Sequence, residues 1–194
     1  MWSCIFKPGC AQQVALALRR CRKSLKSITL TNNQCGGAEL VGIIEALSAH
    51  SQLEDLALPS MNSGRNECTA LENVLNSTMA ALEELHLYNN NIDDEGVDAL
   101  VGALTNCRLR CLNLSSNHNV TARGWQSLAA LLENPNCNLE KLSLYDNNIG
   151  NEGALIFANA LTSNNKLKRL NLFDNGIAAE GWSSFSKILC EASG

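Results

Sequence analysis

One segment of this sequence recurs six times with small changes, and that repetition limits the fold more than any other feature. The pattern is LxxLxLxxNx(I/V), and it is clearest at residues 82–96, which read LEELHLYNNNIDDEG. The copies begin at Leu25, Leu53, Leu82, Leu109, Leu139 and Leu167, which are 28, 29, 27, 30 and 28 residues apart. A regular spacing of this length indicates that one structural unit is stacked along the chain.

Each copy contains two different apolar spacings. The two leucines of LxL are two residues apart, so they lie on the same face of a short strand. After the asparagine the spacing changes to three and four residues, as in Val97, Leu100 and Leu104, which is typical of the apolar side of a helix. The same stripe returns in three later copies, as Trp125, Leu128 and Leu132, as Ala154, Phe157 and Leu161, and as Trp182, Phe185 and Leu189. Each unit is therefore predicted to be a strand, a turn, a helix and a return loop.

A single unit of this kind cannot bury both of its apolar faces, but stacked units form a continuous core between a parallel sheet and a row of helices. Neighbouring strands lie about 4.8 Å apart, whereas packed helices need about 10 Å. The stack must therefore bend with its strands on the inside. We predict an α/β fold, a right-handed solenoid in the form of a curved arc, with parallel strands on the concave face and helices on the convex face.

The asparagine at the ninth position of the copies needs its own explanation. It is present as Asn33, Asn90, Asn117, Asn147 and Asn175. Its side-chain amide can satisfy backbone groups that are left unpaired where the chain leaves each strand. The second copy has Met61 at this position and Pro59 just before it. We therefore expect an irregular turn in the second copy.

The charge and hydropathy of the chain argue against nucleic-acid and membrane partners. The net charge is -4 and the pI is about 5.4, which do not favour binding to a phosphate backbone. No apolar run approaches the length of a membrane span, and the N-terminal segment lacks a basic stretch followed by an apolar one. We therefore expect a cytoplasmic protein with no signal peptide and with neither nucleic acid nor membrane as its partner.

The cysteine content bears on the redox compartment. There are nine cysteines, an odd number, and they are scattered without a CxxC pair. Cys68 occupies the first position of a helix stripe, and Cys107 and Cys137 fall in return loops. We predict reduced, buried thiols in a cytosolic protein rather than a disulfide framework. The cysteines nearest the N-terminus lack the compact spacing of a zinc site, and the sequence indicates no metal and no cofactor.

The two ends of the sequence depart from the repeat. Residues 1–24 contain a helix pattern with no strand pattern before it, so this segment is predicted to be a flanking helix or part of an earlier repeat. Residues 25–194 hold the six repeats. The sixth has no recognisable capping unit after it, and an uncapped repeat exposes Leu170, Leu172 and Phe185 at the edge of the solenoid. We expect either a longer array of repeats or self-association through this edge.

A more specific pattern lies between each strand and its helix. It reads Asn-Asn-Ile-Asp-Asp-Glu-Gly at 90–96, Asn-Asn-Ile-Gly-Asn-Glu-Gly at 147–153 and Asn-Gly-Ile-Ala-Ala-Glu-Gly at 175–181. On these residues the chain resembles the ribonuclease-inhibitor-like class of leucine-rich repeats, which has units of about 28 residues and a full helix on the outside. We interpret the Glu-Gly pairs before the helices as turn glycines.

The resemblance implies a curved scaffold that binds other proteins, and it is more specific for fold than for function. The class includes ribonuclease inhibitor, the GTPase-activating protein for Ran, tropomodulin-type actin regulators and the sensor ends of nucleotide-binding innate-immune receptors. No functional motif of any member carries over to this chain. The predicted function is a non-catalytic protein-interaction scaffold, with a Ran-type GTPase-activating protein and the sensor portion of an immune receptor as alternatives.

The concave surface is the predicted binding site. If the strand leucines face the core, this surface is formed by the third, fifth, seventh and eighth positions of each copy. In the later copies these positions hold aromatic residues beside acids and cations, a combination common in protein-binding surfaces. The predicted partner-binding residues are Glu84, His86, Tyr88, Lys141, Tyr145, Asp146, Arg169, Asn171, Phe173 and Asp174. The alternative is that the three aromatic residues only pack against neighbours in the turn.

One group on this surface has the residue types of a nucleophilic catalytic site. His86 is predicted to lie beside Asn113 and diagonally near Cys111, and these three residue types form such sites in some hydrolases. The face is open and offers no evident oxyanion donors, so we predict that the protein is not an enzyme. His50 and His118, at a helix end and in a loop, are expected to be solvated.

Overall fold

The computed structural model describes residues 3–4, 9–21, 24–31, 37–77, 80–105 and 107–191, in which short strands alternate with helices. The strands are β1 (Ser3–Cys4), β2 (Ser27–Leu30), β3 (Asp55–Ala57), β4 (Glu84–His86), β5 (Cys111–Asn113), β6 (Lys141–Ser143) and β7 (Arg169–Asn171). The helices are α1 (Ala11–Arg20), α2 (Ala38–Ala46), α3 (Arg65–Ser77), α4 (Asp94–Leu104), α5 (Ala122–Glu133), α6 (Gly150–Ser163) and α7 (Ala179–Glu191). None of these described helices combines the length and the hydropathy that crossing a bilayer requires.

The strands form one parallel sheet in which the order of the strands is the order of the chain. Residues at the same position of successive copies are register partners. Leu56 pairs with Leu85, and Leu85 pairs with Leu112. The period of the sequence is therefore the period of the structure, and the predicted α/β leucine-rich-repeat solenoid is confirmed.

The core lies between the sheet and the helices, where the leucines of both spacings meet. Leu85 on β4 and Val97 and Leu100 on α4 are at most 1% exposed. Farther along, Trp125 on α5 packs against Phe157 on α6, with ring centroids 6.2 Å apart. Burying one such side chain stabilises the fold by about 2 kcal/mol. The stack therefore derives its stability from contacts between neighbouring copies as well as within them.

The ninth-position asparagines join each copy to the one before it. Asn90 Nδ2 donates to the carbonyl oxygens of Leu87, in its own copy, and Leu58, in the preceding copy, both at 2.9 Å. The equivalent donations to the preceding copy run from Asn117 to Leu87 O, from Asn147 to Leu114 O and from Asn175 to Leu144 O. The predicted role of these four amides in satisfying backbone groups is confirmed, while Asn33 lies outside the described residues.

The turn of the second copy keeps the geometry of the others. Ser60 has a φ of 55°, as does Asn89 at the same position of the third copy. The backbone N–H of Met61, which replaces the asparagine, donates to Asn90 Oδ1 at 2.9 Å. The expectation of an irregular turn is therefore wrong, because the amide of the next copy reaches back to this turn. This turn is destabilised in one place, because the buried Ser63 Oγ has no hydrogen-bond partner among the described residues.

The glycines of the Glu-Gly pairs lie in the first turn of each helix rather than in a turn before it. Gly96 is the third residue of α4 and is buried. A Cβ at Gly96 would lie 2.9 Å from Ile92 Cγ2 and 3.3 Å from Cys68 Sγ. Glycine is needed here because the helix approaches the isoleucine side chain closely, and the interpretation as turn glycines is wrong.

A short strand precedes the first helix. β1 pairs in parallel with β2, with Ser3 opposite Thr29. The expectation that α1 has no strand before it is therefore wrong, because the backbone extends the sheet although the leucine pattern is missing.

The expectation that His50 is solvated is also wrong, because its side chain is 2% exposed and its Nε2 lies 3.1 Å from Leu18 O. The segment after α2 thus packs against α1.

The last repeat leaves an apolar edge partly uncovered. Leu170 and Phe185 are partly exposed, as predicted, and Trp182 on α7 is 45% exposed. Leu172 is only 6% exposed, so the prediction that it would be exposed is wrong. It lies with Trp182 and Phe185 around a groove of about 460 Å³, which indicates that the helix of its own copy shields it.

Candidate functional site

The concave face is built from side chains that alternate with the leucines along the strands, most regularly on β4, β5 and β6. On β4, Glu84 and His86 are half-buried, whereas Leu85 between them is buried. β5 repeats this alternation, and at the far end Lys141 on β6 and Arg169 on β7 are exposed. The surface is therefore deepest in the middle copies and most open toward the last ones.

Charge changes sign along the row of third positions. Asp55 and Glu84 lie on β3 and β4, Cys111 follows on β5, and Lys141 and Arg169 lie on β6 and β7, each in register with the next. At about 4.8 Å between strands, the acidic and basic ends are roughly 19 Å apart. The face therefore presents an acidic half and a basic half to any molecule that lies along it.

An exposed aromatic pair stands at the basic end. The rings of Tyr145 and Phe173 are stacked, with centroids 5.8 Å apart and an angle of 10° between their planes. Tyr145 is nevertheless 38% exposed and Phe173 is 72% exposed. Tyr88, at the same position of the third copy, is 40% exposed. The fourth copy has the buried Ser115 at this position, so no aromatic ring lies between Tyr88 and Tyr145. The two later aromatic residues thus pack against each other and still offer a large apolar surface to solvent.

The aspartates at the eighth position, Asp146 and Asp174, are explained by the backbone conformation of the turn. A φ of 55° or 56° is shared by Ser60, Asn89, Ser116, Asp146 and Asp174. Among residues with a side chain, asparagine and aspartate adopt this left-handed conformation most readily. Asp146 also accepts a hydrogen bond from Ser116 Oγ at 3.1 Å. The residue type at Asp146 and Asp174 therefore follows from the turn, and their charge is a weaker sign of partner contact.

Lys141, Arg169 and Asn171 lie together on the strands beside the aromatic pair. Among the described residues neither Lys141 nor Arg169 forms a salt bridge, whereas the neighbouring Lys168 pairs with Glu140. Asn171 Oδ1 accepts the backbone N–H of Phe173 at 3.0 Å. The two cations are thus available to a partner, and the amide holds the turn that carries the phenylalanine.

Four side chains from three strands meet in the middle of the concave face. His86 Nε2 lies 3.4 Å from Glu84 Oε2 and 3.9 Å from Asp55 Oδ1. The donor atoms of Glu84, His86 and Cys111 all lie within 4.8 Å of one another, and all four side chains are half-buried. The predicted partner-binding residues include Glu84 and His86 but neither Asp55 nor Cys111, although the sequence places Cys111 diagonally near His86. The signal that finds them is their third position, which puts them in register with Glu84.

The arrangement around Cys111 favours a non-catalytic thiol. His86 and Asn113 are register partners, as predicted. Burial raises the pKa of the Cys111 thiol above its ordinary value, and the charge of Glu84 raises it further. A protonated thiol is a poor nucleophile at neutral pH. Asn113 Oδ1 accepts the backbone N–H of Ser115 at 3.0 Å, so the amide is engaged in its own turn.

The other thiols and His118 have structural or solvated positions. Free cysteines in the described part of the chain include Cys10, Cys68, Cys107, Cys111, Cys137 and Cys190. Cys68 and Cys137 are buried, and burial raises the pKa of both thiols. His118 has a 52% exposed side chain, 3.6 Å from Asp146 Oδ2, so its predicted solvated position is confirmed.

Comparison with known families agrees with this architecture. The family model described as "Leucine Rich repeat" matches residues 80–101, 105–129, 136–158 and 163–186. The protein "NACHT, LRR and PYD domains-containing protein 3" of Macaca mulatta is 34% identical over 164 residues, which are 82% of this chain and 15% of that protein. Ribonuclease inhibitor of Sus scrofa is 33% identical over 162 residues, which are 81% of this chain and 34% of the inhibitor. The chain belongs to the leucine-rich-repeat family, in its ribonuclease-inhibitor-like class, and it spans about a third or less of these relatives.

Two solved structures share the fold. The leiomodin-1 actin-binding site 2 matches with a TM-score of 0.57 and 17% identity, over 96% of this chain and 91% of that one. The tropomodulin C-terminal domain of Caenorhabditis elegans matches with a TM-score of 0.51 and 16% identity, over 94% of this chain and 93% of that one. At this level of identity the two similarities show the fold alone.

Proposed function

We propose that this chain is a non-catalytic scaffold that holds a protein partner against the basic half of its concave face. The observation that carries the proposal is the stacked pair of Tyr145 and Phe173, which is exposed on the same face as Lys141 and Arg169. Aromatic residues and arginine contribute most often to binding hot spots. The repeat architecture of the family supports the same role.

The aromatic pair is well suited to bind with little loss of conformational freedom. The two rings already restrict each other by stacking, and Asn171 fixes the backbone that carries Phe173. Side chains that are ordered before binding lose less entropy when the partner arrives. We expect the pair to receive an apolar side chain of the partner.

The charge of the face indicates how the partner is oriented. Lys141 and Arg169 favour carboxylates close to the apolar side chain of the partner. Asp55 and Glu84 favour a basic group at the other end of the same partner. Asp146 and Asp174 lie at the turn edge, where they favour a cation at the rim. A partner with this order of charges is expected to associate faster at low ionic strength than at high ionic strength.

The test compares the proteins that four versions of the chain retain in affinity purification followed by mass spectrometry. The double variant Tyr145→Ala with Phe173→Ala removes the aromatic pair, and Leu155→Ala removes an exposed apolar side chain, 43% exposed, from α6 on the convex side. We expect a partner that the wild type and Leu155→Ala retain and that the double variant loses. A second double variant, Tyr145→Ala with Asp174→Ala, measures how much Asp174, the acid in the turn, contributes to partner binding. Retention by both double variants would exclude this half of the face.

A second candidate is the sensor portion of a nucleotide-binding innate-immune receptor. It is favoured by the similarity to NACHT, LRR and PYD domains-containing proteins, of which this chain matches a small part. An open reading frame that places a nucleotide-binding module upstream of these repeats would support it. The Ran-type GTPase-activating role remains an alternative, and we expect the chain to leave GTP hydrolysis by small GTPases unaccelerated.

Two further proposals concern location and assembly. The free, buried thiols of Cys68 and Cys137 suit a cytoplasmic location, which microscopy of the tagged natural protein would test. The partly exposed Leu170, Trp182 and Phe185 suit self-association through the edge of the last repeat. Both proposals are independent of the partner that the concave face binds.

A further inference from the structure

Three donor groups at the centre of the concave face have the arrangement of a metal site, and a fourth lies beside one of them. They come from adjacent strands in register: Asp55 on β3, Glu84 and His86 on β4, and Cys111 on β5. Because third and fifth positions project from the same face of the sheet, all four side chains converge above β4. The group combines a thiol, an imidazole and two carboxylates, which are the donors that proteins use to bind zinc.

We propose that Glu84, His86, Cys111 and Asp55 bind one Zn²⁺ ion. Zinc bonds of about 2.0 Å to nitrogen and oxygen and about 2.3 Å to sulfur place the ligands of a tetrahedral site about 3.3 to 3.6 Å apart. The distance from His86 Nε2 to Glu84 Oε2 is already 3.4 Å, and that to Asp55 Oδ1 is 3.9 Å. The sulfur of Cys111 lies within 4.8 Å of the Glu84 and His86 donors, so small side-chain rotations bring these three ligands onto one ion. Asp55, which lies near His86, supplies the fourth ligand by turning Oδ1 toward that ion.

A second observation points to a cation at this place. Asp55 Oδ1 is a buried oxygen that accepts no hydrogen bond from the described residues. The other oxygen of the same carboxylate, Oδ2, accepts a hydrogen bond from Ser27 Oγ at 2.8 Å. Ser27 thereby holds the carboxylate with its free oxygen toward His86. Buried oxygens without a donor are uncommon in proteins and need an explanation, which a bound cation supplies.

The donor types select zinc over the more abundant divalent cations. Calcium and magnesium prefer ligand sets made wholly of oxygen, whereas this group offers a sulfur and a nitrogen among its four donors. An ion pair between a charged imidazole and the two carboxylates accounts for the distances of His86 but gives no role to Cys111. The half-buried positions of all four side chains leave a route for the ion from the open face.

A metal at this point would join three neighbouring strands and would bind Asp55 and Glu84, the carboxylates of the acidic half of the face. With the metal bound, the basic half alone orients the partner. The inference concerns the chain by itself and holds whether or not a protein partner binds. A negative result in the metal titration therefore does not contradict the proposed scaffold function. A negative result in the affinity purification likewise does not contradict the metal site.

The experiment titrates Co²⁺ into the reduced, metal-free full chain and follows its absorption. Cobalt replaces zinc in tetrahedral sites, and bonding to a thiolate gives a charge-transfer band in the near ultraviolet. We expect this band to saturate at one equivalent of Co²⁺ and to disappear when one equivalent of Zn²⁺ is added. Cys111→Ser is expected to abolish the band, and His86→Gln to weaken Zn²⁺ binding by more than 100-fold in competition with a chromophoric chelator.

Ser27→Ala tests the site without touching a ligand. Loss of a group that orients a metal ligand lowers affinity by roughly 10-fold to 100-fold, and we expect a decrease in that range. The matched controls are Cys190→Ser, an exposed thiol, and His118→Gln, an exposed histidine beside a carboxylate. Both controls are expected to bind Co²⁺ as the wild type does.

Folding of each variant is checked by its far-ultraviolet circular dichroism and by its thermal unfolding without metal. The proposal is overturned if the wild type gives no thiolate band at one equivalent. It is also overturned if a folded Cys111→Ser protein keeps the band, because the metal would then bind another cysteine.

Discussion

Asn117 Nδ2 donates a hydrogen bond of 3.1 Å to the carbonyl oxygen of Leu87, which belongs to the preceding repeat 30 residues earlier. The same amide nitrogen donates to Leu114 O at 2.9 Å within its own repeat. One side chain therefore satisfies the strand ends of two repeats, and it does so while fully buried. The asparagines of the other described copies also donate to a carbonyl oxygen of the preceding repeat. These hydrogen bonds therefore fix the position of each repeat relative to the preceding one.

Asn117→Ala is expected to lower the free energy of unfolding by about 3 kcal/mol. The substitution leaves the buried N–H of Ile92 unpaired, which costs about 1 to 3 kcal/mol. It also removes one of the two asparagine donors of Leu87 O and of Leu114 O, which keep Asn90 and Asn147, and each lost hydrogen bond costs about 1 kcal/mol. Urea unfolding followed by circular dichroism measures the change. The control is Asn159→Ala on the exposed side of α6, for which we expect a change within about 0.5 kcal/mol. Equal stability of the two variants would contradict the role assigned to Asn117.

The asparagine contacts and the sheet register were predictable from the sequence for the same reason. Both depend on a pattern that repeats at a fixed interval, so the position of one copy fixes the position of the next. The burial of Leu172 was not predictable in this way, because it depends on how α7 folds over the groove beside Phe185. His50 was misjudged because its contact with Leu18 joins two segments that the repeat does not relate.

The candidate site was predictable only in part. Positions on the concave face follow from the alternation of each strand, and this placed Glu84 and His86 correctly on that face. The closeness of Cys111 to His86 follows from the same alternation, whereas the approach of Asp55 to His86 depends also on side-chain rotamers and on Ser27, which no spacing in the sequence reports. The stacking of Tyr145 on Phe173 is likewise a matter of rotamers.

Gly96→Ala is expected to destabilise the protein by about 2 kcal/mol, although alanine favours helices. A Cβ at this position would lie 2.9 Å from Ile92 Cγ2, closer than carbon atoms normally approach, and the surrounding core must shift. Gly42→Ala on α2 is the matched control, because nothing lies within 4 Å of its added Cβ and we expect a gain of up to about 1 kcal/mol. Thermal and urea unfolding measure both changes.

A double-mutant cycle separates this contact from helix propensity. Ile92→Ala removes the methyl group that the added Cβ meets, so the cost of Gly96→Ala is expected to shrink in that background. An unchanged cost would show that the close contact is not its cause.

The Asp94 carboxylate is expected to make stability depend on pH in the acid range. Burial acts to raise its pKa, but hydrogen bonds from Thr121 and Gly124 and the charge of Arg123 outweigh it, and the pKa falls below its ordinary value of 3.8. A lowered pKa in the folded state stabilises the protein fully above about pH 4, and this contribution is lost as pH falls through the folded pKa. We expect the wild type to exceed Asp94→Asn in stability at pH 6 and the difference to shrink toward zero at pH 2.

Urea unfolding of both proteins at several pH values measures this difference. Glu133→Gln removes an exposed carboxylate at the end of α5 and serves as the control for loss of charge. A difference between wild type and Asp94→Asn that stays constant from pH 6 to pH 2 would contradict the linkage.

The apolar edge of the last repeat is expected to support weak self-association of this chain. Trp182 and Phe185 are in contact, with ring centroids 5.7 Å apart, and Trp182 keeps 45% of its surface exposed beside the groove that Leu170 also lines. Removing such a patch from water is favourable, and a buried charge there is not. Sedimentation equilibrium is expected to show a concentration-dependent increase in mass for the wild type and for Leu155→Ser, which changes an exposed residue away from the edge. Trp182→Glu is expected to remain a monomer at the same concentrations, and association of a folded Trp182→Glu protein would locate the contact elsewhere.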